Sequence, residues 1–479
     1  MTPTARRKVL AVGLVTAFMS LLDVSIVNVA LPSIEGGLGL DEAGLQWVVS
    51  GYALAFGLLL VPAGRLGDAR GRRGMFVAGL ALFTGASALA GLAPGPGWLI
   101  AARLLQGAGA GIINPQVSGL IQQLYRPEER GRPFGLLGAV IGVSTAVGPL
   151  LGGALIAGFG AEAGWRWVFF INLPIGVAAI VLGWRWIPAG EPARRREPLD
   201  PVGVALLGAA VLLLLLPLVQ ERQWTSPAKW LLVPAGLAVF AVFAAWERRY
   251  GRTRAPLVDL ALFRRRSYAL GSLLALCYFA GFTAIFFVLT IYLQTGLGYS
   301  ALLAGLAVTP FAAGSAVASA AGGRLVNAHG RRLVAAGLAT VLAGLAGTVL
   351  ALHLAPGRGA GWAMALPLLV AGLGSGLVIS PNVTLTLAEV PVERAGSAGG
   401  VLQTGQRIGT AVGIAGVGAV FFNRLAASGG DWSAAVRPAL LVTVGFVAVA
   451  LAAAVADIRA DRRAQDRAAG EPVGAGTPH

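Results

Sequence analysis

The stretch GRLGDARGRRGMF, Gly64 to Phe76, lies between two long apolar runs. A degenerate copy, GGRLVNAHGRRL from Gly322 to Leu333, lies between two others late in the chain. Each pairs a Gly-Arg-Leu with a Gly-Arg-Arg, at Gly64 and Gly71 in the first and at Gly323 and Gly330 in the second. A basic turn between apolar runs belongs at a membrane face. Two copies imply two homologous bundles in one chain.

The repeat extends outward from these turns. Gly107, Gly109, Gly111 and Pro115 recur as Gly372, Gly374, Gly376 and Pro381. RPEERG (126–131) recurs as VPVERAG (390–396), and Thr145–Gly148 (TAVG) as Thr410–Gly413. Counted from the first glycine, the loop proline and Thr145, the offsets are 265, 264 and 265 residues, against 259 for the turns. One such match is common in a chain rich in Gly and Ala; four in order are not.

Composition sets the class. The chain has 479 residues, of which 56% are hydrophobic and 12% charged, and its mean hydropathy is +0.75. A soluble domain carries about 25% charged residues. Fourteen apolar runs, from 10–31 to 438–456, are long enough to cross a bilayer. In lipid every backbone polar group needs an internal partner, so the runs are helices. The expected architecture is an all-α polytopic membrane protein with 14 transmembrane helices arranged 6 + 2 + 6. Its segments are an N-terminal bundle (1–187), two inserted helices with linkers (188–266), a C-terminal bundle (267–457) and a polar tail (458–479). Two six-helix halves around a midplane cavity are a transporter layout.

The net charge of +16 is a matter of topology. With the N-terminus in the cytoplasm, 29 of the 37 Lys and Arg fall on inside segments, six on outside segments, and Arg103 and Arg407 within spans. That bias predicts a multi-pass protein of the plasma (inner) membrane with both termini cytoplasmic. It favours contact with anionic lipid over nucleic acid. The single Cys277 and three scattered His offer no disulfide framework or metal cluster. The first apolar run is too long for a cleaved leader and is expected to remain as helix 1. No loop is long enough for a catalytic domain, and no phosphate-binding GxxxxGK[ST] loop is present. The protein is expected to be no enzyme and to need no cofactor.

Several stretches together resemble the major facilitator superfamily, and within it the fourteen-helix branch of drug/proton antiporters, over nearly the full chain. They are the turn Gly64–Arg73, LLDVSIVNVALPSI (Leu21–Ile34), RLLQGAGAGIINP (Arg103–Pro115), GVSTAVGPLLGG (Gly142–Gly153) and WRWVFFINLPIG (Trp165–Gly176). The resemblance implies a proton-coupled exporter of amphipathic small molecules such as drugs or antibiotics. It would alternate access by rocking, with the proton gradient as its energy source. The implied partners are substrate, protons and the bilayer, without nucleic acid, and a monomer is expected. Dedicated export of one endogenous metabolite, lipid or self-made antibiotic is the alternative, followed by proton symport. A lipid-carrier transferase lacks catalytic groups at an interface, and a channel would lack the paired halves.

Individual residues carry these expectations. Asp23 is the acid lodged well inside a span; such acids normally face a cavity and do work, so it is the expected proton acceptor. Arg103, Gln106, Ala110 and Asn114 share one face of helix 4. Arg103 either snorkels to the interface or faces the cavity, where the resemblance has it tune the acid. Gly142, Gly148, Pro149, Gly152 and Gly153 in helix 5 allow close helix approach and a bend. The resemblance makes this helix the seal between halves. In the turn, Gly64, Asp68, Gly71, Arg72 and Arg73 are the expected conformational switch, with Asp68, Arg72 and Arg73 bridging the halves. Asn327 replaces the acid in the second copy, which concentrates proton chemistry in the first half. Tyr278, Phe282 and Phe286 form an aromatic face on helix 9 that suits either a cavity wall or lipid. Asn28, Trp47, Tyr52, Gln106, Asn114, Asn382 and Gln403 are further cavity candidates. Arg407 has three open roles: attracting an anionic substrate group, balancing Asp23, or pairing with Glu389.

Overall fold

The computed structural model describes residues 1–160, 163–189, 200–220, 224, 226–355 and 357–470, the side chains at 42, 301 and 461–470 excepted. The last part of the expected tail, 471–479, and the linker 190–199 lie outside these residues. The first six crossings are α1 (Pro3–Leu38), α2 (Glu42–Arg70), α3 (Arg72–Gly91), α4 (Pro96–Leu124), α5 (Gly131–Phe159), and α6 (Gly164–Phe170) with α7 (Asn172–Trp186). Two further helices follow, α8 (Pro201–Val219) and α9 (Leu232–Tyr250). The last six crossings begin with α10 (Arg266–Ile291), α11 (Ala301–His329) and α12 (Arg331–Leu354). They end with α13 (Ala360–Ala363) and α14 (Ala365–Thr386), α15 (Ala395–Ala427) and α16 (Trp432–Gly470).

Among the described residues, 13 helices are long and apolar enough to cross a membrane. The remaining crossing, α4, spans 29 residues but is diluted by Arg103, Gln106, Asn114, Gln116, Gln122 and Gln123. Those polar residues make α4 a helix built to be covered by protein, and it packs between α2 and α3. Most other helices run past their apolar cores; α1 covers 3–38 where the apolar run is 10–31.

The basic turns are single residues. Gly71 (φ 99°) joins α2 to α3, and Gly330 (φ 52°) joins α11 to α12. Both adopt a left-handed backbone that side chains resist, which is why each copy keeps its glycine.

Two seams join the first six crossings to the last six. Along one, α5 lies on α11: a Cβ at Gly131 would stand 2.2 Å from the Gly323 carbonyl oxygen, and one at Gly142 2.9 Å from that of Ala312. Along the other, α2 lies on α15: a Cβ at Gly64 would stand 2.3 Å from the Gly396 oxygen, and one at Gly400 2.5 Å from that of Leu60. Small residues here permit backbone contact. In α5, Gly148 packs instead on Ser25 and Gly152 on Ile26 of α1, whereas Gly153 faces open space and seals nothing. On α8, Leu207, Val211 and Leu215 join a cluster with Leu54 and Val61 of α2 and touch Val401 and Ile408 of α15. α8 therefore covers the α2–α15 seam, with α9 packed on α8.

Candidate functional site

Asp23 sits at mid-α1 with no exposed surface, and Arg103 on α4 is 1% exposed. An Arg103 terminal nitrogen (Nη1) lies 2.6 Å from Asp23 Oδ2. The same nitrogen donates to Gln106 Oε1 (2.6 Å), and Arg103 Nε donates to the Val48 carbonyl (3.0 Å). Asp23 Oδ1 accepts from Gln106 Nε2 (2.7 Å) and Asn172 Nδ2 (3.0 Å). Ser87 Oγ accepts from the same two amides. One acid thus ties α1 to α4 and α7, with α3 in support. A buried pair of this kind is costly to break, about 3–5 kcal/mol when one partner is removed. Arg103 does not snorkel.

Arg103, but not Asp23, lines a cavity of about 60 Å³ together with Val24, Val27, Asn28, Tyr52, Phe56 and, from α15, Arg407. The Arg103 guanidinium lies over the Tyr52 ring (4.4 Å), and Tyr52 stacks along Phe56 (6.1 Å, 15° between planes). Arg407 lies over the other ring, 4.4 Å from the Phe56 centroid.

At the end of the bundle that carries the basic turns, the halves are clamped. Asp68 accepts from the backbone N–H groups of Gly396 (2.9 Å) and Ser397 (2.8 Å). Arg72 pairs with Asp68 (2.8 Å) and donates to the Val392 carbonyl (2.7 Å). Asn327 donates to the Glu128 carbonyl.

With a buried ion pair beside a cavity between two bundles, comparison with known proteins decides the family. The Major Facilitator Superfamily model matches residues 13–414. The chain belongs to the Major Facilitator Superfamily. It is therefore a multi-pass membrane transporter and not an enzyme. It is 40% identical over 427 residues to the probable actinorhodin transporter of Streptomyces coelicolor, covering 88% of this chain and 74% of that one. It is 36% identical over 408 residues to the cephamycin export protein CmcT of Amycolatopsis lactamdurans, covering 83% and 81%. The fold matches that of the proton:xylose symporter XylE with a TM-score of 0.68 at 14% identity, over 94% of this chain and 95% of that one.

Within this superfamily frame, several expected site residues lie elsewhere. Tyr278, Phe282 and Phe286 pack in the core of the last six crossings, two of them against Phe311, and not on the cavity. The helical spacing of a core face and a cavity face is the same. Trp47 packs toward α8. Asn382 accepts from an Arg331 terminal nitrogen (2.6 Å) and donates to the Gly271 carbonyl (3.0 Å), far from the ion pair. Gln403 donates to Ser118 across the halves (3.3 Å), and Asn114 donates to the Ala110 carbonyl of its own helix (3.0 Å). Arg73 does not bridge the halves; it stacks on Trp184 of α7 (4.7 Å).

The sequence reading missed Asn172 and Ser87. It also missed three buried acids, Asp200 (2% exposed), Glu247 (2%) and Asp457 (3%). Asp200 caps α8 and accepts from Trp246, and Glu247 accepts from the Val258 N–H. Asp457 pairs with Arg331 (2.8 Å) and Arg266 (3.1 Å). Asp200 and Glu247 lie near helix ends, and Asp457 at the end of the apolar part of α16, where an acid looks like an ordinary interfacial charge.

Proposed function

We propose that the protein is a proton-coupled antiporter that exports amphipathic small molecules by rocking its two bundles. The observation that carries this reading is the buried Asp23–Arg103 pair, whose arginine lines the inter-bundle cavity. A proton on Asp23 cancels the charge that Arg103, Gln106 and Asn172 converge on, and loosens the tie between α1, α4 and α7. The two bundle arrangements then bind the proton with different affinity, which is the requirement for coupling. The charge bias of the loops supports placing the clamped end, and both termini, in the cytoplasm. In that orientation the cavity is shut off from the cytoplasm by the Asp68 and Arg72 contacts. Export is supported by relatives named for transport or export of natural products.

The test is efflux of a compound panel in everted vesicles under an imposed pH gradient, with Asp23→Asn as the variant. Gradient-driven accumulation is expected in the parent and its loss in Asp23→Asn, with folded protein retained. Unchanged gradient-driven transport in the variant removes Asp23 from the coupling. Accumulation of one compound alone selects the dedicated exporter over the multidrug pump.

A further inference from the structure

Arg407 is the cavity's second guanidinium, and among the described residues no acid neutralises it. Among the described residues no hydrogen bond or ion pair reaches it, and its buried Nε has no acceptor. Both acids that the sequence offered as partners are engaged elsewhere. Asp23 is held by Arg103, Gln106 and Asn172. Glu389 lies beside Arg265 at 3.9 Å. The cavity wall therefore carries two guanidiniums, and the one nearby carboxylate, Asp23, sits behind Arg103. A partly buried cation whose Nε is sealed off without an acceptor is costly, and a transporter that keeps one has a use for it.

The rings beside it add a second requirement. Arg103, Tyr52, Phe56 and Arg407 form a column in which two near-parallel rings are capped at each end by a guanidinium. Tyr52 and Phe56 sit one helical turn apart on α2, so the column runs from the coupling acid of the first half to the free cation of the second. Its rings offer stacking surface, and its far end offers a planar fork matched to a carboxylate. The space of about 60 Å³ seats an acidic head group, and the ring system follows as the halves part.

We infer that Arg407 is the substrate-recognising residue and that the substrates are planar aromatic molecules bearing a single anionic group, a carboxylate or an ionised phenol. This rests on the export reading for its biological meaning, but not for its test. A cationic ligand would meet a wall of net positive charge, and a neutral one would leave Arg407 unpaired.

The test is equilibrium binding to the purified full chain in nanodiscs of three probes sharing one ring system: anthracene carboxylate, anthracene carboxamide and aminomethylanthracene. The carboxylate is expected to bind about tenfold tighter than the amide, as a charge-assisted hydrogen bond does over a neutral one. The amine is expected to bind weakest. Arg407→Gln should bring the carboxylate down to the level of the amide and leave the amide unchanged. Arg407→Lys should retain part of the preference. Arg407→Gln should melt no lower than the parent, since it removes a partly buried charge that has no ion-pair partner. The inference is overturned if the amine binds as well as the carboxylate, if no probe binds, or if Arg407→Gln keeps the preference. Selective binding without pH-driven efflux would sink the export reading alone; efflux with equal binding of all three probes would sink this inference alone.

Discussion

The two basic turns share a backbone and divide their chemistry. Each passes from one helix to the next through a single left-handed glycine. In the first copy, Asp68 and Arg72 together make three contacts with the backbone of residues 392–397 in the opposite half. In the second copy, Asn327 makes one neutral contact with the Glu128 carbonyl. Arg331 turns into its own half, to Asn382, Ser267 and Asp457. Duplication thus preserved the turn and redistributed its charges. One copy is an inter-half clamp, and the other braces a single bundle with an acid borrowed from α16.

The largest expected effect tests the clamp. Asp68→Asn removes the charge that receives two N–H groups and Arg72, and charged bonds of this kind are worth about 1.5–3 kcal/mol each. Efflux per folded molecule is expected to fall at least about tenfold, with substituted cysteines near Ser397 becoming more reactive to thiol reagents. Asn327→Ala should cost far less. Equal losses in the two variants, or rescue of Asp68→Asn by Asn327→Asp, would make the turns interchangeable and dissolve the contrast.

A second measurement separates clamp from brace. Arg331→Met strips Asp457 of one of its two arginines, and breaking a buried pair costs about 3 kcal/mol. A lower melting temperature in detergent is expected, with efflux per folded molecule little changed. Arg72→Met should do the reverse, lowering efflux more than melting. If both variants act alike on both readouts, the two arginines serve one role.

The smallest effect belongs to Arg73. Its stack on Trp184 is worth about 0.5–1 kcal/mol, and Trp184 belongs to its own bundle. Arg73→Gln is expected to leave efflux within about twofold of the parent; a drop as large as that of Asp68→Asn would return Arg73 to the clamp.

How much of this was legible beforehand follows from the physics of each signal. Helices and turns are local or periodic features, and they were readable. Of the glycines expected to seal α5, only Gly142 meets the other half, because Gly148 and Gly152 meet α1 and Gly153 meets nothing. Asp23, Arg103 and Gln106 were legible because ionic and amide groups are rare at lipid depth. Asn172 was not, because its value lies in meeting an acid 149 positions away, and only folding reveals that. The aromatic row on α10 was ambiguous for another reason: neighbours, not spacing, decide whether a face lines a core or a cavity. Asp457 was hidden by the arginines after it, which give the end of α16 the look of solvated charge. The free state of Arg407 emerged only when both its possible partners were found engaged.

The inserted helices bear on how cargo arrives. Because α8 lies over the junction of α2 and α15, that flank is fenced from the lipid. A molecule dissolved in the bilayer is denied sideways entry there. Removing the fence while keeping the two bundles would convert a guarded flank into a lateral doorway, and the range of compounds admitted would widen toward the most lipid-soluble.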